Sequence, residues 1–165
     1  ILIMGTKSDT ELKQIFKNLN TIVMIGVSAS PLRASFFVAR YFVLRGMKVI
    51  PINPNYQGKK LWGEPVLGKL SDITAGTRVD MVDIFRPSKE VPQIVNDVID
   101  NLVPLGCRTV WMQIGIKHKK ASLIAEHHGL NVIMDKCPKI EYQRLFGELR
   151  VAGFNTGIIS SKIDL

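Results

Sequence analysis

Apolar residues along this chain keep two rhythms. Short, mainly apolar runs at 22–27, 48–52, 81–85, 109–114 and 132–134 lack the alternation of a half-exposed strand, so they predict strands buried on both faces. Between them, apolar positions recur every three or four residues. This spacing predicts helices over 9–18 (Leu12, Ile15, Phe16 and Leu19 on one stripe), 35–44, 91–103, 119–128 and 140–149. Gly46, the Pro104–Gly106 segment and Gly129 stop three of them. Residues 55–64 read as a polar loop and 66–73 as a short helical turn. Strands separated by helices imply βαβ units and a parallel sheet. The chain is thus expected to be α/β, with a helical segment (1–20) packing on the sheet across its edge, a body (21–146) and a tail (147–165). The tail shows no periodicity from Gly153 onward.

Composition narrows the partner. A chain of 165 residues fits one domain with a sizeable core. Twenty-two Lys and Arg against 14 Asp and Glu give a formal charge of +8, which favours an anionic partner: nucleic acid, anionic lipid or a phosphorylated small molecule. The cations are scattered, with doublets only at Lys59-Lys60 and Lys119-Lys120, so nucleic acid is disfavoured. No apolar run reaches 18 residues, so no membrane span is expected. The apolar start, Ile1 to Met4, lacks the features of a signal peptide. Two cysteines, Cys107 and Cys137, make no disulfide framework, and a reducing cytoplasm is the expected setting.

The densest chemistry follows the first strand. Gly26 permits a sharp turn, and Ser28, Ser30 and Ser35 bring hydroxyls to the start of a helix. Helix N-terminal amides attract an anion, and Arg33 adds a full positive charge. The turn reads as a phosphate seat. It is not a P-loop, because no Gly-Lys precedes the helix. Nor is it a GxGxxG fingerprint: only Gly26 is present, and the second strand ends in Asn53-Pro54 where an acid would hold a ribose diol. With Lys59 and Lys60 beyond, that end suits a ribose carrying a phosphate. Ligands of such sheets sit past the carboxyl ends of the strands. There Phe85 and Pro87 stand to flank an adenine, Arg86 to meet a phosphate, and Gln113 and Gly115 to line the mouth.

Catalytic constellations are thin. Gly26-Val27-Ser28-Ala29-Ser30 is half of a GxSxG elbow, with serine at the second glycine. His127 and His128 fall at a helix end, and His118 in a loop, so no catalytic residue is assigned. No Cys or His pair has metal-ligand spacing, so no metal is expected. Cys107 reads as a packing residue. Cys137, beside Lys136 and Lys139, reads either as a packed thiol or as one activated by those cations.

The motif Gly26-Val-Ser-x-x-Pro31-x-Arg33-x-Ser35-x-x-Val38-Ala39-x-Tyr41 resembles the small bacterial and archaeal CoA-binding-domain proteins, relatives of the CoA-binding part of the succinyl-CoA synthetase α subunit. The likeness continues through Pro51-Ile-Asn-Pro54, Val82-Asp-Ile-Phe-Arg86, Val110-Trp-Met-Gln113-x-Gly115 and Met134-Asp-Lys-Cys-Pro138-Lys-Ile-Glu141, over residues 9–146. The resemblance implies a Rossmann-like, doubly wound, mainly parallel sheet of about five strands with helices on both faces. It implies coenzyme A or acyl-CoA as ligand, with phosphates on Ser28, Arg33 and Ser35 and the nucleotide near Asn53, Pro54, Phe85, Arg86 and Val91. The phosphorylated-histidine segment of the synthetase has no counterpart here, so the expectation is binding without catalysis. The alternatives are an NAD(P)-binding oxidoreductase or redox sensor, and an interaction module whose pocket is vestigial or regulatory. A homodimer or an unidentified protein partner is a further expectation.

Overall fold

A computed structural model describes residues 6–147. Five parallel strands form the main sheet: β1 (Thr21–Ile25), β2 (Lys48–Ile52), β5 (Met81–Ile84), β6 (Thr109–Met112) and β7 (Asn131–Ile133), in the order β2-β1-β5-β6-β7. Two short strands, β3 (Lys60–Leu61) and β4 (Glu64–Pro65), pair as an antiparallel hairpin. The helices are α1 (Asp9–Lys17), α2 (Ala34–Leu44), α3 (Val91–Asn101), α4 (Lys119–His127) and α5 (Pro138–Leu145).

Both faces of the sheet are covered, which is why its strands are written as mainly apolar runs. Val23, Val82 and Val110 point toward α3 and α4, where Val91, Val95, Val98, Ala121 and Ala125 complete one core layer. Ile22, Met24, Met81 and Trp111 point the other way, against α1 and α2, with α5 residues Tyr142 and Leu145 packed on that layer. The α/β Rossmann-like architecture follows, with helices on each face of a five-stranded parallel sheet.

Local differences from the sequence reading have physical causes. The α1 helix lies on a sheet face and not across the edge: Phe16 is buried, with its ring 5.6 Å from Trp111 and 5.3 Å from Tyr142. Ser8 and Glu11 start α1 with a capping box, Glu11 N donating to Ser8 Oγ (3.2 Å) and Ser8 N to Glu11 Oε2 (2.7 Å). The α5 helix begins two residues before the expected 140, because Pro138 suits the first helical turn; the expected positions 148 and 149, the remainder of the tail and Ile1 to Met4 lie outside the described residues. The 66–73 segment is helical only over Leu70–Asp72. Before that, Leu67 bridges in parallel to Ile52 and covers the open edge of β2. Pro51 is tolerated in β2 because that strand is the outermost of the main sheet. The β3–β4 hairpin begins inside the expected 55–64 loop and ends at Pro65, and its turn residues Trp62 and Gly63 both have positive φ (50° and 80°).

Candidate functional site

The strand order places β2 on one side of β1 and β5, β6 and β7 on the other, so the loops leaving β1 and β5 diverge. Such a divergence opens a crevice at the carboxyl ends of the strands. A cavity of about 290 Å³ lies there, floored by Ile25, Gly26 and Ile52 and walled by Asn53, Lys69 and Arg86. Of the residues expected from sequence, Gly26, Asn53, Pro54 and Arg86 line it. Asn55, Lys69, Glu90 and Asp97 also line it and were not anticipated; Glu90 is the N-cap of α3, and Asp97 lies two turns further along it. A larger hollow of about 640 Å³ opens at the amino ends of the strands, beside α1 and Arg108. No diverging loops meet there, so the crevice is the better candidate.

Gly26 joins the strand to the seat. Its φ of +85° suits glycine, and a Cβ there would stand 2.8 Å from Arg86 Cδ and 3.0 Å from the Phe85 carbonyl. Beyond it the serines organise the turn themselves. Ser28 N donates to Ser35 Oγ (2.9 Å), Ser30 N to Ser28 Oγ (3.0 Å) and Leu32 N to Ser30 Oγ (3.4 Å). The hydroxyls therefore brace the loop. The N-cap of α2 is Arg33, whose side chain makes no cap bond, so the N-cap side chain leaves the helix start open to an anion. Arg33 itself is exposed.

Asn53 ties the second strand to this turn. Its Nδ2 donates to the Val27 carbonyl (3.0 Å) and its Oδ1 accepts from Asn55 N (3.0 Å). Arg86 spans the cavity wall and donates twice to Glu90, from Nε and Nη2, each at 2.8 Å. The pair holds the Glu90 carboxyl below, and the Arg86 guanidinium above, its ordinary range.

Other expected residues stand elsewhere. Lys59 and Lys60 are exposed and do not line the cavity; Lys59 Nζ lies over the Tyr56 ring (5.4 Å). Phe85 is half-buried against the α1/α2 layer, and Val91 is fully enclosed in the α3 layer. Gly115 N donates to Asp135 Oδ1 (2.7 Å), tying the loops after β6 and β7. Gln113 is buried, and its Nε2 donates to Asp83 Oδ2 (3.1 Å) rather than facing the mouth. Asp83 has no exposed surface, its Oδ1 has no hydrogen-bond partner among the described residues, and burial pushes its carboxyl up to about 8. It sits in register with Met24 and Trp111, in the middle of an apolar layer. No strand-end pattern could reveal it, because it occupies one position of an otherwise apolar run.

His118 is the N-cap of α4, its Nδ1 accepting from Ala121 N (3.2 Å), and His127 and His128 close that helix. Burial raises the thiols of both cysteines, Cys107 to about 11, so the lysines beside Cys137 do not activate it. Among the described residues, no group of three or more His, Cys, Asp or Glu side chains could hold a metal ion. No helix among them is long and apolar enough to cross a membrane.

Comparison with known proteins agrees with this geometry. A family model described as a CoA binding domain matches residues 20–143. The uncharacterized protein YneT of Bacillus subtilis (strain 168) is 27% identical over 139 residues, covering 84% of this chain and 97% of YneT. Among solved structures, cell-free ID.343 from Thermus thermophilus is 31% identical, with a TM-score of 0.77 over 85% of this chain and 100% of that one. A hypothetical protein from Pyrococcus horikoshii OT3 is 25% identical, with a TM-score of 0.77 over 89% of this chain and all of that one. A motif order, a strand order and a family match that spans the whole sheet converge, and the chain belongs to the CoA-binding-domain family.

Proposed function

We propose that this protein binds coenzyme A or an acyl-CoA, with the pyrophosphate at the β1–α2 turn and the adenosine end in the cavity beside β2. The observation that carries the reading is the start of α2, open to an anion and adjoining a cavity at the point where the sheet diverges. Arg33 at that helix start and the net charge of +8 favour a ligand with several phosphate charges. Membership of a CoA-binding family points to the same ligand. No residue is assigned a catalytic role: His118 is engaged as a helix cap, and both thiols are buried. Free cysteines fit a cytoplasmic setting.

The test is mass spectrometry of ligand released from freshly purified protein, followed by calorimetric titration with CoA and with NAD(P). Release of CoA or an acyl-CoA, and tighter binding of CoA than of either nicotinamide nucleotide, is the expected result. Tighter binding of NAD(P) overturns it in favour of a nicotinamide-dependent module.

A further inference from the structure

Resting on the CoA reading, we infer that Lys69 reads a phosphate monoester on the ribose of the bound adenine nucleotide, and so selects 3′-phosphorylated CoA over dephospho-CoA. In nucleotide-binding α/β sheets the ribose is read at the end of the second strand, by an acid for a free diol or by a cation for a phosphorylated one. Here β2 is followed by Asn53, which offers no carboxylate to repel a phosphate. Lys69 reaches this place through backbone pairing. Leu67 N donates to the Pro51 carbonyl and Asn53 N to the Leu67 carbonyl, each at 2.9 Å, which fixes the segment beside β2. On either side of Lys69 the chain is pinned. A Cβ at Gly68 would stand 2.7 Å from Gln57 Oε1, and Leu70 is buried in the α3 layer.

Charge distinguishes Lys69 from its neighbours. Four charged side chains line the cavity: Lys69, Arg86, Glu90 and Asp97. Arg86 is taken up by two hydrogen bonds to Glu90, and Asp97 Oδ1 accepts from Gln93 Nε2 (3.0 Å). The Lys69 ammonium makes no hydrogen bond or ion pair with any described residue, so it is the lining cation available to an incoming anion. Lys59 and Lys60 lie outside the lining.

A ribose 2′-phosphate, as on NADP, shares this chemistry with the 3′-phosphate of CoA, and the experiment separates them. The full chain is titrated calorimetrically with CoA, dephospho-CoA, NADP and NAD, as wild type, as Lys69→Met and as the double variant Lys59→Met/Lys60→Met. Wild type should prefer CoA to dephospho-CoA about fivefold, the effect of one exposed ionic contact. Lys69→Met should erase that ratio while leaving the dephospho-CoA affinity and the melting temperature unchanged; the double variant should keep the ratio. A ratio that survives Lys69→Met, or a variant that weakens both ligands equally, overturns the assignment. If wild type binds neither CoA nor dephospho-CoA, the CoA reading fails on its own. In that case a preference for NADP over NAD that disappears in Lys69→Met still upholds the role of Lys69, and no such preference ends it.

Discussion

At the scale of single residues, two positions carry sharp consequences. Gly26 combines a positive φ with a close approach to Arg86 and to the Phe85 carbonyl. Gly58 has nearly the same φ (+87°) but open space where a Cβ would be. Gly26→Ala is therefore expected to destabilise the fold more than Gly58→Ala. The conformational strain common to both is about 1–3 kcal/mol, and the crowding at Gly26 adds to it. Urea unfolding of the two variants measures the difference, and equal losses would show that the contact with β5 is unimportant. Asp83 is the second. Its carboxyl sits at about 8 in the folded protein against an ordinary 3.8, so between those values the native state holds a proton that the unfolded chain has released. The contribution of this group to stability thus falls as pH rises from about 4 through about 8 and is flat above. Asp83→Asn removes the titration while keeping an oxygen for Gln113. It should match wild type near pH 4 and exceed it increasingly up to pH 8, in denaturant midpoints taken at several pH values. Parallel curves would mean that Asp83 is ionised and partnered in solution.

At the scale of elements, legibility tracked burial. The strands β1, β2, β5, β6 and β7 were readable because each is sandwiched between helices and is mainly apolar on both faces, and α1, α2, α3 and α4 because one stripe of each faces the sheet. The β3–β4 hairpin was not readable. It has two residues per strand, includes Lys60, Glu64 and Pro65, and turns on a tryptophan at positive φ whose ring rests 5.0 Å from Phe36. Its conformation is set by tertiary contact and not by local preference. Lys69 was missed for the same reason, since its place depends on the pairing of Leu67 with β2. Position and packing also divide in α1. Its start at Asp9 was legible, but its seat on the sheet face depends on Phe16 meeting Trp111 and Tyr142, and on Arg144 of α5 reaching Asp9 (2.8 Å). Ser8→Ala removes the acceptor for Glu11 N and should cost about 1 kcal/mol in chemical denaturation. The far-UV spectrum should not change, because Phe16 still anchors the helix. Loss of helical signal would show that the cap, and not the aromatic contact, holds α1 in place.

At the scale of the whole molecule, the fold and the ligand are coupled through one end of the sheet. The crevice draws on β1, β2, β5, the segment around Lys69 and the start of α3, elements far apart in sequence that come together only in the native state. The sequence rhythm disclosed the parallel sheet, and the Gly26–Ser35 turn disclosed which end of it to inspect; the cavity wall on α3, with Glu90 and Asp97, emerged only once the helix was placed over the strands. An unfolded chain has no such crevice, so a ligand that fits it stabilises the native state by mass action. CoA at about 100 times its dissociation constant should contribute about 2.7 kcal/mol. For a chain of this length that corresponds to a rise in melting temperature of about 5–10 °C. Adenosine and pantetheine, each offering part of the contact and no pyrophosphate, should give smaller shifts. Part of the CoA shift should vanish at high salt, because phosphate recognition by a chain of charge +8 is screened. A melting temperature that does not move with saturating CoA, or a shift equal to that of pantetheine alone, would take the phosphates out of the β1–α2 turn.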